Sequence, residues 1–507
     1  MNIKNIKTYI LSGILALSMS SCLDKYPEDS IRMDQAINTV DDMDKLVYGI
    51  YDSFKSSALY SGNLTILPDL QADFVYCVKG YSNAYGDIYR WKDIKATNTD
   101  IESVYGELYG VINTANFLLD NVDKVKANTN SDTELDKLEQ YEGEAYFARA
   151  LAYSELIKCF CKAYDSDEQA EKELGVVLTE HYYGNEPQKR ATLKESYDFV
   201  LRDLDKAAEY LKVDEDFTGT LYDEIYFNEY ACHALRARVS LYMHRWDDAI
   251  KYASKVIDSK YYVLASCTQK IGNTSYYQYQ WTAGKSTEGI WKVGFTVNSY
   301  GGALGTIFDN FNYVSYRPDY VPETWVINSF DANDLRAAAI FTTRTTGYEH
   351  GLQWPLLSKY FGDAEFLNNN ILHVHQPMVF RLSEQYLIRA EAYAMNGEYG
   401  KAGKDISTLR TARYSSYGGN TSMSDESSAM KIIEAERVKE LYMEGFRLND
   451  LKRWHKGFER KAADQPAANF VQSSLKVEKD DPLFVWPIPQ HELEAPGSEI
   501  EPNESNK

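Results

Sequence analysis

Glu436, Arg437, Glu440, Glu444, Arg447 and Asp450 crowd charged groups into one short stretch near the end of the chain. In a helix the three- and four-residue spacings of Arg437, Glu440 and Glu444 line one face, where the charges pair with each other or with Arg447. Paired carboxylates also cleave glycosidic bonds, but that reaction needs them on opposite sides of a bound sugar, and neighbours on one helix face do not flank it. The stretch is therefore expected to be a structural salt-bridge network, because Glu and Arg enter an interior only when paired.

Other reactive constellations are weaker. His373 and His375 stand two apart, as metal ligands on an extended segment do, but no third ligand lies nearby in sequence. Asp214, Asp216 and Gly219 begin like a calcium loop, yet Ile225 occupies the place of the bidentate Glu. The nucleophile elbow, zinc-protease, phosphate-loop and dinucleotide motifs are missing from the sequence. No catalytic residue, metal site or cofactor is therefore assigned. After Cys22 the cysteines are Cys77, Cys159, Cys161, Cys232 and Cys267, an odd number without zinc-type spacing, and they are expected to be small buried apolar groups.

The chain is rich in aromatics, with 41 Tyr, 20 Phe and 8 Trp. A tyrosine offers a flat apolar face and a hydroxyl, a combination suited to stacking on a sugar ring while bonding its hydroxyls. More than about half of these rings are expected in the core. The rest concentrate in two stretches without helical periodicity, 68–99 and 261–325, rich in Gly, Ser, Thr, Asn and rings. Long irregular segments carry function or are disordered, and this density of rings argues against disorder.

These stretches need a scaffold, and its signals are helical. Ala237, Leu241 and Tyr242 precede a turn at Arg245-Trp246, and Ala249, Ala253 and Ile257 follow it at helical spacing. Ala390, Tyr393 and Ala402 repeat the arrangement around Asn396-Gly397-Glu398. Small residues at these positions let two helices approach closely, the pattern of tetratricopeptide-type units. Such units are expected over about 142–211, 228–258 and 380–413, with 430–454 as a further helix. The fold class is mainly α, with irregular helical pairs as scaffold and long aromatic-rich loops as binding face.

Lys4 and Lys7, an apolar run from Tyr9 to Leu17 and small residues before Cys22 have the layout of a secretory signal over residues 1–21. The apolar run is shorter than the roughly 20 residues a spanning helix needs. Residues 22–507 are read as a single domain. The net charge of −21 becomes −23 without Lys4 and Lys7, which disfavours nucleic acid and anionic surfaces as ligands.

The run from Glu436 through Gly445 to Trp454 resembles the C-terminal signature of SusD-like (RagB/SusD) proteins, E-R-x-x-E-L-x-x-E-G-x-R-x-x-D-L-x-R-W. Trp486-Pro487-Ile488-Pro489, Phe380 to Tyr393, Gly143 to Ala150, Tyr109 to Asn116 and the lipobox-like Met19 to Cys22 also resemble that family. The resemblance implies a non-enzymatic outer-membrane lipoprotein, acylated at Cys22 and exposed at the cell surface. Its membrane contact would be the lipid anchor alone. It would capture oligo- or polysaccharide and deliver it to a SusC-like TonB-dependent barrel. It also places the glycan site in loops, where the candidates are Asp73, Lys79, Tyr81, Asn83, Tyr85, Tyr89, Trp91, Tyr279, Trp281, Tyr300, Tyr313 and Tyr316. Two alternatives share the composition: a helical-toroid glycoside hydrolase or lyase, and a tetratricopeptide adaptor that binds protein segments.

Overall fold

The computed structural model describes residues 36–183, 188–213, 224–348, 351–461 and 474–507. The leader, Cys22 and the Asp214–Gly219 stretch lie outside the described residues.

The chain is mainly helical. Helix α1 spans Val40–Ser53 and opens on a Thr39–Asp42 capping box. Helix α2 (Asn63–Gln71) leads into strand β1 (Val75–Cys77). Two 29-residue helices follow, α3 (Thr99–Ala127) and α4 (Asp132–Phe160), then α5 (Leu193–Tyr210). Helix α4 packs between α3 and α5. Gly143 permits the close approach, since a Cβ there would lie 2.7 Å from Tyr210. Arg149 of α4 donates to both carboxylate oxygens of Asp203 at 2.7 and 3.0 Å and to Asn116 Oδ1 at 2.7 Å, pinning three helices at one buried point. The sequence reading began this unit at 142 and named no helix within 99–127; α3 starts where Asn98 accepts from the N–H groups of Asp100 and Ile101, and α4 starts after Ser131.

Helices α6 (Glu229–Tyr242) and α7 (Trp246–Ser259) form a hairpin packed through Ala237, Ala249 and Ala253, all fully buried. Strand β2 (Gly289–Lys292), strand β3 (Tyr320–Pro322) and the hairpin of β4 (Phe341–Thr345) with β5 (Gln353–Leu357) interrupt the helices. Strand β6 (Met378–Arg381) pairs with β2 and continues into α8 (Leu382–Met395), which packs on α7 and forms a hairpin with α9 (Tyr399–Arg413). The buried alanines at 390, 394 and 402 sit at the second hairpin's contact.

Residues 430–454 are not one helix. Helix α10 (Glu426–Glu440) stops and α11 (Arg447–Arg453) begins after a turn in which Met443 and Gly445 have φ of 59° and 82°. Glycine adopts that conformation freely, and Asp69 holds the turn by accepting from the N–H groups of Gly445 and Arg447 at 2.9 and 2.8 Å.

The charged signature is buried around this break. Glu440 accepts from Arg336, Arg381 and Arg413 at 2.6–2.8 Å, and Glu288 bridges Arg381 and Arg413. Burial raises the Glu440 carboxyl, but the Arg413, Arg381 and Arg336 guanidinium groups outweigh it and hold the group well below the usual range. Glu436 pairs with Arg336 and Arg410 and is held at about 2 by the same balance. The partners differ from those expected. Arg437 pairs with Asp450 at 2.7 Å, and Arg447 with Asp73 at 2.8 Å and Glu434 at 3.1 Å, because the turn carries Arg447 off the face that bears Glu440.

The five cysteines among the described residues are free and buried. Among the described residues no helix is long and apolar enough to cross a membrane.

Candidate functional site

Strands β1 and β3 pair antiparallel in the register Val75↔Pro322, Tyr76↔Val321 and Cys77↔Tyr320. In an antiparallel pair the end of one strand lies beside the start of the other, so the loop leaving β1 and the loop entering β3 emerge together. Polar contacts extend this pairing into both loops. Val78 N–H donates to Asp319 O at 2.9 Å, and Ser82 donates to the Asp319 carboxylate through its N–H at 2.8 Å and its hydroxyl at 2.6 Å. Tyr320 donates to Ala84 O at 2.6 Å, with the Tyr81 ring 6.0 Å from its own.

The β4–β5 hairpin supplies a third side. Tyr348, at its tip, donates to Arg317 O and Pro318 O at 3.0 and 2.8 Å, and its ring lies against Gly80. Gly347 N–H donates to Tyr316 O at 2.7 Å. Segments 78–90, 309–319 and 344–348, distant in sequence, thus meet.

Two ring-bearing clusters result. In one, Phe311 stacks on Tyr316 at 4.5 Å and 25°, Tyr313 lies 5.9 Å from Phe311, and the Arg344 guanidinium stands 5.2 Å over the Tyr316 ring. Tyr313 and Val314 are 59% and 88% exposed, so this cluster opens to solvent. In the other, Tyr81 donates to Asn83 Oδ1 at 2.7 Å, while Arg90 donates to Tyr81, to Asn83 at 2.8 Å and to Asp87 at 3.0 Å. Burial raises the Tyr81 hydroxyl above its ordinary range, so it stays protonated and keeps its bond to Asn83. Lys79 and Asn83 are exposed beside it.

The backbone of these loops is strained. Asn83 and Tyr85 have φ of 68° and 57°, and Asn310 and Tyr313 have 39° and 67°. Left-handed non-glycine residues cost on the order of 1–3 kcal/mol each and cluster where geometry serves a site. Polar atoms without a protein hydrogen-bond partner lie in the same segments, Asp309 Oδ2 and Thr346 Oγ1, and beside them His373 Nδ1, whose ring bonds Phe311. Burial pushes the Asp309 carboxyl up to about 8, only partly opposed by Arg344, so it is mostly protonated at neutral pH.

Of the residues singled out from sequence, Lys79, Tyr81, Asn83, Tyr313 and Tyr316 fall in this assembly, and Tyr85 stands at its inner edge, packed on the core. Others do not belong to it. Trp281 is 2% exposed, with Lys359 Nζ 4.0 Å over its ring, and is a core residue. Tyr89 is buried and donates to Val75 O at 3.3 Å. Asp73 is consumed by Arg447. Trp91 donates to Gln71 O at 2.5 Å and packs on Phe458 and Phe484. Tyr279 lies half-buried on the helix Tyr276–Thr282, and Tyr300 lies against Phe366, away from the Tyr81 cluster. The sequence reading missed Tyr348 and Arg344. The β-branched threonines at 342, 343 and 345 and the glycines at 347 and 351 signal a hairpin there.

Among the described residues no group of three or more His, Cys, Asp or Glu could hold a metal ion. His375 instead bonds Asp363 at 2.6 Å, and His373 Nε2 accepts from Phe311 N–H at 3.0 Å.

Comparison with known proteins adds the following. A sequence profile described as "SusD family" matches residues 341–498, and one described as "Starch-binding associating with outer membrane" matches 22–241. No curated protein sequence matches. Similar solved structures include a SusD superfamily protein from Bacteroides thetaiotaomicron VPI-5482, with a TM-score of 0.75 and 23% identity over 92% of this chain and 99% of that one. A surface glycan-binding protein A from Bacteroides fluxus has a TM-score of 0.67 and 19% identity over 92% of this chain and 100% of that one. A laminarin-binding SusD-like protein has a TM-score of 0.66 and 18% identity over the same shares.

Proposed function

This chain belongs to the SusD family, and from that premise we propose that it is a surface receptor that captures oligo- or polysaccharide without cleaving it. It passes the sugar to a SusC-like TonB-dependent barrel, held to the outer leaflet through an acylated Cys22. The observation that carries this reading is the β1–β3 register, which gathers the rings and polar groups of the two loops at one end of a short ladder. Tyr313, Tyr316 and Tyr348 offer faces for sugar rings, and Arg344, Arg90, Asn83 and Asp87 offer charge-assisted or neutral bonds to hydroxyls. Binding by such groups needs no nucleophile or paired acid and base.

The absence of cleavage has its own support. The signature carboxylates Glu436, Glu440 and Glu444 are each paired with buried cations, and the cavity that Glu444 lines, about 30 Å³, is far below the roughly 300–1,000 Å³ of ligand sites, whereas a glycosidase needs two carboxyls flanking a bound sugar. Affinity electrophoresis through gels containing starch, laminarin and other plant, fungal and host polysaccharides tests the reading. At least one gel should retard the wild-type chain, and Tyr313→Ala with Tyr316→Ala should abolish the retardation. Unchanged retardation in that double variant would remove the site. Release of reducing ends from any of the polysaccharides would replace the receptor reading with an enzymatic one.

A further inference from the structure

A groove outside the loop assembly lies between α1 and the chain leaving β2, with a volume of about 730 Å³. That is within the range of roughly 300–1,000 Å³ typical of ligand sites. Tyr48, Tyr51, Asp52 and Lys55 line one wall at spacings that share a face of α1 and its extension. Tyr226 stands edge-on to Tyr51 at 5.6 Å, and Phe295 and Glu365 face them. Tyr48 is 58% exposed and Tyr226 51%, although large apolar rings usually find cover. Charges of both signs line the groove, Lys55, Lys285 and Lys292 with Asp52 and Glu365, a mixture that suits a neutral polyhydroxylated ligand better than an ion.

The groove connects with the loop face. Lys55 Nζ donates to Ser299 Oγ at 2.8 Å, which sets Tyr300 at the groove's margin. The Tyr300 ring packs 5.9 Å from Phe366, in the short helix Ala364–Asn368. Glu365 of that helix lines the groove, exposed Asn368, Asn369 and Asn370 follow it, and Asn370 O accepts from the Tyr313 hydroxyl at 3.3 Å. Tyr300, one of the candidates singled out from sequence, stands between the two surfaces.

We propose that the Tyr48–Tyr226 groove is a second sugar-contacting site, joined to the loop face across Tyr300 and Asn368–Asn370, so that the chain engages extended polysaccharide rather than short oligosaccharide alone. This rests on the receptor reading above. A glycan array carrying polysaccharides beside their disaccharide to octasaccharide fragments tests it, followed by titration calorimetry with whichever polysaccharide binds best. Both rings are exposed, so the Tyr48→Ala/Tyr226→Ala variant should fold, which its melting temperature checks. Its affinity for the polysaccharide should fall about tenfold or more, while the shortest fragments bound by the wild type keep their affinity. Unchanged polysaccharide affinity in that variant, with Tyr313→Ala still weakened, overturns the groove and leaves the loop site standing. A wild-type chain that binds no glycan on the array overturns both.

Discussion

The charges around Glu440 and the rings around Tyr316 are two dense clusters built from opposite logic. At Glu440 three guanidinium groups converge on one carboxylate, and Glu440, Arg336 and Arg413 are shielded from solvent. Around Tyr316 the rings remain partly open, several backbone residues are left-handed, and Asp309 and Thr346 leave polar atoms unpaired. The first cluster spends its groups on one another, whereas the second leaves them for something else. A receptor needs both, because exposed loops keep a costly geometry only on a base that does not yield.

The sharpest way to break this comparison is to remove the centre of the buried network. Glu440→Ala strands Arg336, Arg381 and Arg413 with unbalanced charge. Breaking a buried ion pair costs about 3–5 kcal/mol. We expect at least that loss in a urea titration, or failure to fold. A loss below about 1 kcal/mol would mean that Glu288, Glu436 and Glu444 suffice, and that the signature glutamate serves another purpose.

Trp281→Ala tests the boundary between the clusters from the side of a ring. If Trp281 is core, truncation should destabilise the chain by about 3 kcal/mol or more, while the protein that remains folded keeps its glycan affinity. Loss of affinity without loss of stability would return Trp281 to the site. Tyr313→Ala should do the opposite. Exposed residues shift stability by only about 0.5 kcal/mol, so its melting curve should barely move while retardation in a polysaccharide gel falls.

The buried cluster was legible in its residue types and illegible in its partners. Spacing placed Glu436, Glu440 and Glu444 in a structural network, but Arg336, Arg381 and Glu288 reach Glu440 and its neighbours from far along the chain, and no periodicity reports that. Helical pairs were legible wherever alanines recur, at Ala237, Ala249 and Ala253 or at Ala390 and Ala402. The break after Glu440 was missed because the charge pattern runs on through Gly445. For the loops, composition located the aromatic segments, yet the identity of a ring does not state its exposure. Trp281 and Tyr313 sit in similar sequence, and the larger ring gains more by burial, so it belongs to the core. The β1–β3 strands, three residues each, are too short for their pairing to be read from alternation.

The smallest effect belongs to a charge at the fringe of the signature. His455 follows Trp454 directly and lies between two carboxylates, with Nδ1 2.6 Å from Asp480 and Nε2 2.8 Å from Asp165. It therefore joins the end of α11 to two other segments, but at 42% side-chain exposure instead of none. Burial alone would lower its pKa; the hydrogen bonds to Asp480 and Asp165 outweigh this and raise it. A group whose folded pKa lies above its unfolded value of about 6.5 stabilises the fold fully below that value and loses the contribution as pH rises through the folded pKa. Exposed ion pairs contribute about 0.2–1 kcal/mol, so the clamp should be weaker than any pair around Glu440. Melting temperatures of the wild type and His455→Gln should accordingly differ most near pH 5.5, with the wild type higher, and converge above the raised pKa. A difference that stays constant from pH 5 to 9 would mean that His455 acts by packing or as a neutral hydrogen-bond donor, and that ionic clamping of this chain ends with the residues shielded from water.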